Sequence, residues 1–190
     1  MVDADRTAEA LAARARLLAR PQETAEPEGA TIQMLGFEAG GDRFALPVES
    51  IVTVMSAVQS TPVPGMPPWL VGAVGVRGRV VAVVSPDQFL GTRPGPDELV
   101  GRSTAVVLAD EAAEVALLID RLDLVESIAS SALLPLPAGS SEVVGHAARG
   151  TVGGRLFLDP GGLIAAIRSA LQPMTDDPSP VPDHRPIAPK

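Results

Sequence analysis

The chain reads, over residues 36–91, GFEAGGDRFALPVESIVTVMSAVQSTPVPGMPPWLVGAVGVRGRVVAVVSPDQFLG. Short runs rich in Val, Leu and Ile alternate in this stretch with Gly, Pro and charged residues. Runs of this length and composition predict β-strands, and the Gly and Pro between them predict tight turns rather than long crossover helices. The stretch therefore predicts a small β architecture made of hairpins.

The same pattern continues on both sides of this stretch. Short helices are predicted at residues 86–90 and after Asp159, because Asp followed by Pro160 is typical of a helix start. No internal sequence repeat is evident. We predict a mostly β fold of small antiparallel barrels, with strands at 31–37, 43–46, 51–54, 71–76, 79–84, 104–109, 115–119, 124–128 and 153–158.

The composition restricts both the core and the classes of partner. Of the 190 residues, 46% are apolar but only 3% are aromatic, so the core must be mainly aliphatic. The 18 Gly and 19 Pro make up about a fifth of the chain, whereas an average protein has about 12% Gly and Pro together. This high content argues against a helical bundle. The formal charge of −8 and the scattered basic residues argue against nucleic acid and against insertion into or binding to an anionic membrane.

The ends of the chain differ from its centre. Residues 6–20 predict a short amphipathic helix, and an acidic linker follows it to residue 30. Residues 173–190 contain six Pro and predict a disordered tail. The predicted domain therefore covers residues 31–172. Because we see no signal peptide, no long apolar span and no Cys, we expect a cytoplasmic protein.

Few residues in the sequence suggest catalysis or metal binding. The chain has two His, His146 and His184, no Cys and no recognisable metal-ligand spacing, so we expect no cofactor. Asp120 and Asp159 each follow a predicted strand, and Asp159 is interpreted as a helix cap. The glycines at 72, 75 and 78 fit neither a dinucleotide fingerprint nor a P-loop, and they predict a hairpin instead. A binding module is therefore favoured over an enzyme.

The order of elements over residues 36–91 resembles the CheW-like family. Family members have an aromatic-Ala-Leu-Pro-Val run, which residues 44–48 match, and a Val-rich strand, which residues 51–54 match. A Pro-rich connection at 61–69 then leads to the family's hairpin, whose place is taken by GAVGVRG at 72–78, followed by a strand and a short helix ending in Leu-Gly. The similarity continues more weakly to residue 171.

This resemblance implies a fold of two intertwined, five-stranded SH3-like barrels with a short N-terminal helix and a C-terminal helix. It also implies a non-enzymatic adaptor, which binds the regulatory domain of a CheA-type histidine kinase and the cytoplasmic tip of a chemoreceptor. One alternative is a CheW-like module of another kinase array, controlling twitching or gene expression. The less favoured alternative is a small β-barrel hydrolase, which would need His146 beside a carboxylate and a nucleophilic Ser or Thr.

Position in the matched segments implies candidate contact residues. The receptor would meet the hairpin, and the kinase would meet the segment before it. Arg77 could instead pair with a core carboxylate such as Asp120. Val76 and Val80 of the hairpin could be plain core residues, and so could Phe44 and Ile51. The receptor-facing candidates are Val76, Arg77, Gly78 and Val80, and the kinase-facing candidates are Phe44, Ile51 and Val54.

Three single positions and one three-residue segment depart from the family pattern. Gly75 and Val76 stand where the hairpin usually has Asn and Leu, and Thr53 stands where the preceding strand usually has an acid. The segment Ser-Pro-Asp at 85–87 replaces the usual Asp-Leu-Arg. We expect Asp87 to alter the surface charge near the hairpin.

Removal of residues 173–190 is expected to leave the melting temperature nearly unchanged, because a Pro-rich polar tail buries little apolar surface. Thermal denaturation of the full and truncated chains measures this. A large drop would show that the tail is docked on the domain.

Overall fold

A computed structural model describes residues 30–92, 101–110 and 113–175, with side chains up to residue 172. The predicted N-terminal helix at 6–20, its linker and most of the predicted tail lie outside the described residues. Within the described part, ten strands form two five-stranded sheets. Their bounds are β1 Thr31–Ala39, β2 Asp42–Pro47, β3 Ile51–Met55, β4 Leu70–Val76, β5 Arg79–Val84, β6 Thr104–Ala109, β7 Glu114–Ile119, β8 Arg121–Ala129, β9 Ala148–Val152 and β10 Arg155–Leu158.

The chain passes between the two sheets and builds each from both of its halves. Sheet 1 has the order β8-β1-β2-β10-β9, and sheet 2 has the order β3-β6-β7-β5-β4. Each sheet therefore takes a hairpin from one half of the chain and three strands from the other. Most neighbours are antiparallel, but β2 pairs in parallel with β10, and β7 pairs in parallel with β5. These two parallel pairs join the halves, so the sheets are intertwined as expected.

A structural repeat underlies this exchange. The first five strands followed by helix α1 (Pro86–Phe89) have the same order and pairing as the last five strands followed by helix α3 (Pro160–Thr175). The sequence showed no repeat, because pairing depends on the pattern of apolar and turn residues and not on residue identity. The two halves therefore share an architecture without a visible sequence signature.

Close backbone approach requires glycine at equivalent places in the two halves. A Cβ at Gly72 in β4 would lie 2.8 Å from the backbone carbonyl carbon of Thr61, whose N–H and C=O bond to Ala73. A Cβ at Gly150 in β9 would lie 3.2 Å from the same atom of Leu134. In each half, a side chain at this position would push away the segment that covers the edge of the sheet.

Three apolar clusters hold the fold together. The largest lies between the sheets and includes Phe37 and Phe44, whose ring centroids are 5.4 Å apart. Smaller clusters lie within sheet 2 and within sheet 1. Helix α3 buries Leu163 and Ile167 in the largest cluster, with Leu171 packed at its margin, as the helical spacing predicts. The core is mainly aliphatic.

The start of α3 confirms the role of Asp159 as a cap. Its Oδ2 accepts a hydrogen bond of 3.1 Å from the N–H of Gly162, and its Oδ1 forms an ion pair of 2.7 Å with Nη2 of Arg149. The carboxylate thus accepts a hydrogen bond from an amide of the first turn that has no partner within the helix. Its negative charge also interacts favourably with the positive end of the helix dipole.

Some element boundaries differ from the prediction. The glycines at 153 and 154 form a turn, so the predicted strand at 153–158 begins only at Arg155. Strand β9 and helix α2 (Glu142–Ala147) were not predicted, because their sequences mix Gly, Arg and small residues without a clear period. Helix α3 continues to Thr175, three residues past the last residue of the predicted domain. Pro173 indicated an earlier end because it lacks an N–H.

Gly72→Ala is expected to lower the free energy of unfolding by about 2 kcal/mol, because the new Cβ has no room against the backbone of Thr61. Gly75→Ala on the same strand is the matched control, since a Cβ there meets nothing within 4 Å. Urea denaturation of the two variants measures the difference. Equal stabilities would contradict the packing argument.

Candidate protein-binding surfaces

The turn between β4 and β5 presents Arg77 at an exposed tip. Arg77 and Gly78 have φ of 49° and 81°, the left-handed values that a two-residue hairpin loop requires. Gly adopts this conformation freely, whereas Arg does so at a cost of about 1 kcal/mol or more. The Arg77 guanidinium is held by one hydrogen bond, in which Nη2 donates to the backbone oxygen of Val52 at 3.3 Å. The alternative in which Arg77 pairs with Asp120 is wrong.

The other hairpin candidates divide between surface and core. Val80 is 83% exposed and lies opposite Gly75, which has no side chain to cover it. Gly78 is exposed at the tip beside Arg77. Val76 is buried in the cluster of sheet 2 and supports the hairpin from beneath. Val80 is therefore not core, and Arg77, Gly78 and Val80 are the exposed residues among the four hairpin candidates.

Of the candidates for the kinase surface, only Val54 is well exposed. Phe44 is buried and stacks on Phe37, so it cannot contact a partner directly. Ile51 is half-buried and packs against the largest cluster. Val54 is 41% exposed and lies on β3, the edge strand of sheet 2. Phe44 belongs to the largest cluster and Ile51 packs against it.

The sequence analysis missed an apolar surface on β8, the edge strand of sheet 1. Leu124 is 79% exposed, and Leu122 and Val125 are also exposed. These residues lie on both faces of the strand, which pairs only with β1 among the described residues. Exposed apolar side chains on a free edge are typical of a protein interface. Their signal in the sequence was the run Leu-Asp-Leu-Val, which breaks the apolar–polar alternation of a strand with one face in solvent.

A cluster of mixed charge lies beside this strand. Arg43 and Arg121 contact the carboxylate of Glu38 at 3.3 and 2.7 Å, and Arg155 contacts Glu126 at 3.0 Å. The hydrogen bond from Arg43, followed by the charge of Arg121, lowers the pKa of Glu38. Because each arginine faces a carboxylate, the cluster does not form an anion-binding surface.

His146 lies on the exposed side of α2, and its Nδ1 is 2.8 Å from the backbone oxygen of Glu142. Glu142 and Ser169 line the same open groove, so a carboxylate and a hydroxyl are present beside the ring. In the described part of the chain, no hydrogen bond joins the His146 ring to a hydroxyl or a carboxylate. The groove therefore shows no activated nucleophile.

Asp87 lies in the interior, which corrects the expectation that it would change the surface near the hairpin. Its side chain is 4% exposed and pairs with the equally buried Arg102. Burial by itself raises the pKa of the Asp87 carboxyl, but hydrogen bonds from Arg102 and Ser85 outweigh burial and lower the pKa below its ordinary value. The hydrogen bond to Asp87 also raises the pKa of Arg102. The substituted Ser-Pro-Asp segment thus supplies an internal ion pair.

The model of the CheW-like domain matches residues 33–168 of this chain. The chain belongs to the CheW-like family. The two five-stranded sheets of this CheW-like chain correspond to the family's two SH3-like barrels, and the predicted fold class is confirmed.

Two relatives carry different names. Protein PilI of Pseudomonas aeruginosa is 34% identical over 62 residues, which is 33% of this chain and 35% of the relative. A probable chemotaxis protein CheW of Rhizobium etli is 23% identical over 118 residues, which is 62% of this chain and 75% of the relative. The match thus spans only about a third of the length of PilI.

A solved structure shares the fold of the CheW-like chain. The scaffolding protein TtCheW of Thermoanaerobacter tengcongensis superposes with a TM-score of 0.57 at 16% identity, covering 68% of this chain and 88% of the other. At this identity the similarity concerns the fold alone. Among the described residues, no helix is both long enough and apolar enough to cross a bilayer.

Asp87→Asn is expected to lower the free energy of unfolding at pH 7 by about 3 kcal/mol, because it replaces the buried carboxylate at both terminal nitrogens of Arg102 by a neutral amide and leaves the charge of Asp120 at Nε alone to balance the guanidinium. Folding lowers the pKa of Asp87, so the carboxylate stabilises the fold fully above the ordinary pKa of 3.8 and loses this effect as the pH falls below it. Urea denaturation of the CheW-like chain and its variant at pH 7 and pH 3 measures both values. The difference should narrow at pH 3, and a constant difference would contradict the assignment.

Proposed function

We propose that this CheW-like protein is a non-enzymatic adaptor that couples chemoreceptors to a CheA-type histidine kinase. The observation that carries the proposal is Arg77, an exposed cation in a left-handed conformation at the tip of a rigid hairpin. Strained residues persist where the surrounding structure holds them, and they concentrate at functional sites. Membership of a family of scaffold proteins supports the same reading.

The hairpin would receive the cytoplasmic tip of the receptor. Val80 offers an apolar side chain whose burial supplies affinity, and Arg77 offers a charge that sets the register of the bound helix. The hairpin is anchored by Val76 in the core of sheet 2, so the surface is held in one geometry before binding. A preformed surface loses little conformational entropy on association.

The kinase regulatory domain would bind elsewhere on the molecule. Val54 lies on the free edge of sheet 2, and the apolar residues of β8 lie on the free edge of sheet 1. Free edges with exposed apolar side chains suit a second β-rich partner, because the edge offers backbone hydrogen bonds as well as apolar contacts. Two separate surfaces on one rigid domain are what an adaptor requires.

The proposed action is binding and positioning, not chemistry. The exposed His146 bonds to a backbone carbonyl, which supports a structural role and not that of a general base. The proposed partners place the protein in the cytoplasm, beside the membrane but not inserted in it and without nucleic acid. Two relatives carry the different names PilI and CheW. The identity of the receptor and kinase that this protein binds would therefore decide which output the array controls.

Arg77→Asn is expected to weaken receptor binding at least tenfold and to leave the melting temperature unchanged or slightly raised, because Asn tolerates the left-handed conformation and carries no charge. Arg77→Glu is expected to abolish binding. A pull-down from native lysate, followed by affinity measurement with the recovered receptor fragment, tests both variants.

Matched controls come from sheet 1 and from the segment that covers its edge at Leu134. Arg43→Asn removes an exposed arginine, and Leu134→Glu places a charge at an exposed apolar position, as Val80→Glu does in the hairpin. Only the hairpin variants should lose the receptor. Recovery of a CheA-type kinase and a chemoreceptor by the wild type supports the adaptor, and unchanged binding by all hairpin variants would move the site elsewhere.

A further inference from the structure

We propose that Arg102 is a positioning residue that sets the orientation of sheet 1 relative to sheet 2. It lies just before β6, with its side chain buried where the two sheets meet. One part of its guanidinium contacts groups that belong to sheet 2, and another part contacts the point at which the chain crosses into sheet 1. The sequence analysis did not single out this residue.

The contacts on the side of sheet 2 are bidentate. Nη1 of Arg102 donates to Oδ1 of Asp87 at 2.8 Å, and Nη2 donates to Oδ2 at 3.0 Å. Nη1 also donates to Oγ of Ser85 at 2.9 Å, and this hydroxyl donates to Oδ1 of Asp87 at 2.6 Å. Ser85 directly follows β5, and Asp87 lies in α1. The planar guanidinium is therefore fixed in angle as well as in position.

The contacts on the other side reach the crossover. Asp120 is the one residue between β7 of sheet 2 and β8 of sheet 1. Its Oδ1 forms an ion pair of 2.7 Å with Nε of Arg102, and its Oδ2 accepts a hydrogen bond of 2.7 Å from the N–H of Gly40. Gly40 lies in the turn between β1 and β2 of sheet 1. Contacts from Asp87 through Arg102 and Asp120 to the N–H of Gly40 thus connect α1 to the hairpin of β1 and β2.

The turn at Gly40 also touches Asp87 directly. Gly40 has a φ of 63°, and a Cβ built on it would lie 2.7 Å from the carboxyl carbon of Asp87. The turn of sheet 1 is therefore seated on the same carboxylate that holds Arg102. Any rotation of one sheet against the other would break this contact or separate Arg102 from Asp120.

The main effect of such a cluster is to fix the relative orientation of the groups that it joins, and its effect on the free energy of unfolding is smaller. Removing a guanidinium and a carboxylate from water largely offsets their attraction, so an apolar replacement of similar volume is often as stable. The apolar cluster between the sheets stabilises their contact without directional bonds. The fork to Asp87 fixes the guanidinium, so its ion pair with Asp120 and the contact of Gly40 with Asp87 require one position of sheet 1 against sheet 2.

The consequence for signalling rests on the proposed function. The hairpin with Arg77 and Val80 belongs to sheet 2, whereas the apolar edge of β8 belongs to sheet 1. The angle between the sheets therefore sets the angle between any two partners bound to them. Arg102 would act on coupling through this angle, without touching either partner.

The experiment measures the orientation directly. Because the chain contains no Cys, spin labels on Ser127→Cys in sheet 1 and Val80→Cys in sheet 2 report one distance by pulsed electron resonance. The test variant replaces the buried polar groups by apolar ones, as Ser85→Ala, Asp87→Leu and Arg102→Met. The control variant replaces the ion pair of the exposed Arg79 with the half-buried Glu114 by Met and Leu.

The native chain and the control are expected to give one narrow distance distribution. The test variant is expected to unfold cooperatively near the native melting temperature and to give a wider or shifted distribution. Arg102→Lys, which keeps the charge but loses the planar fork, provides the same measurement if the triple variant does not fold. An unchanged distribution in a folded variant would overturn the proposal.

Binding distinguishes this proposal from the proposed function. Unlabelled Arg102→Lys is expected to bind each isolated partner as the native chain does and to lose kinase control in the assembled array. Altered distances with normal kinase control would retain the positioning role and overturn its consequence for coupling. Failure of the native chain to bind a receptor or kinase would overturn the proposed function and leave the distance result standing.

Discussion

The parallel pairing of β2 with β10 and of β7 with β5 is the constraint on which the rest of the structure depends. Each pair joins a strand from one half of the chain to a strand from the other, so neither sheet closes without both halves. The shared apolar cluster, the position of α3 and the crossover at Asp120 all follow from this exchange. The exposed hairpin is anchored in sheet 2 because its strand β5 takes part in one of these pairs.

Much of this architecture could be predicted from local patterns. The Gly-rich hairpin, the cap at Asp159 and the apolar face of α3 each depend on residues close in sequence, and the structure confirms them. Strand β9 and helix α2 could not be predicted, because their sequences are short and contain Gly, and their partners, β10 for β9 and α3 for α2, are set by the fold. Local propensity is weak there, and tertiary contacts decide.

The candidate surfaces were predictable by position but not by exposure. Val76 and Val80 lie four residues apart in one Val-rich run, yet one is core and the other is surface, because the turn at residues 77–78 reverses the chain between them. Asp87 looked like a surface substitution because its partner Arg102 is distant in sequence. A sequence does not show that a charged residue is buried, because the oppositely charged residue that makes its burial possible is known only from the fold.

The exchange of strands also governs how the chain must fold. Thr31 pairs with Ala129, so β1 cannot form this pairing, and sheet 1 cannot be complete, until the second half of the chain lies beside it. Pairings of such long range require a large loss of chain entropy before they are stabilised, which slows folding. A chain divided between α1 and β6 would yield two fragments, and each would hold a hairpin of one sheet and three strands of the other sheet. Such fragments would be complementary parts of one protein, and neither would be a domain.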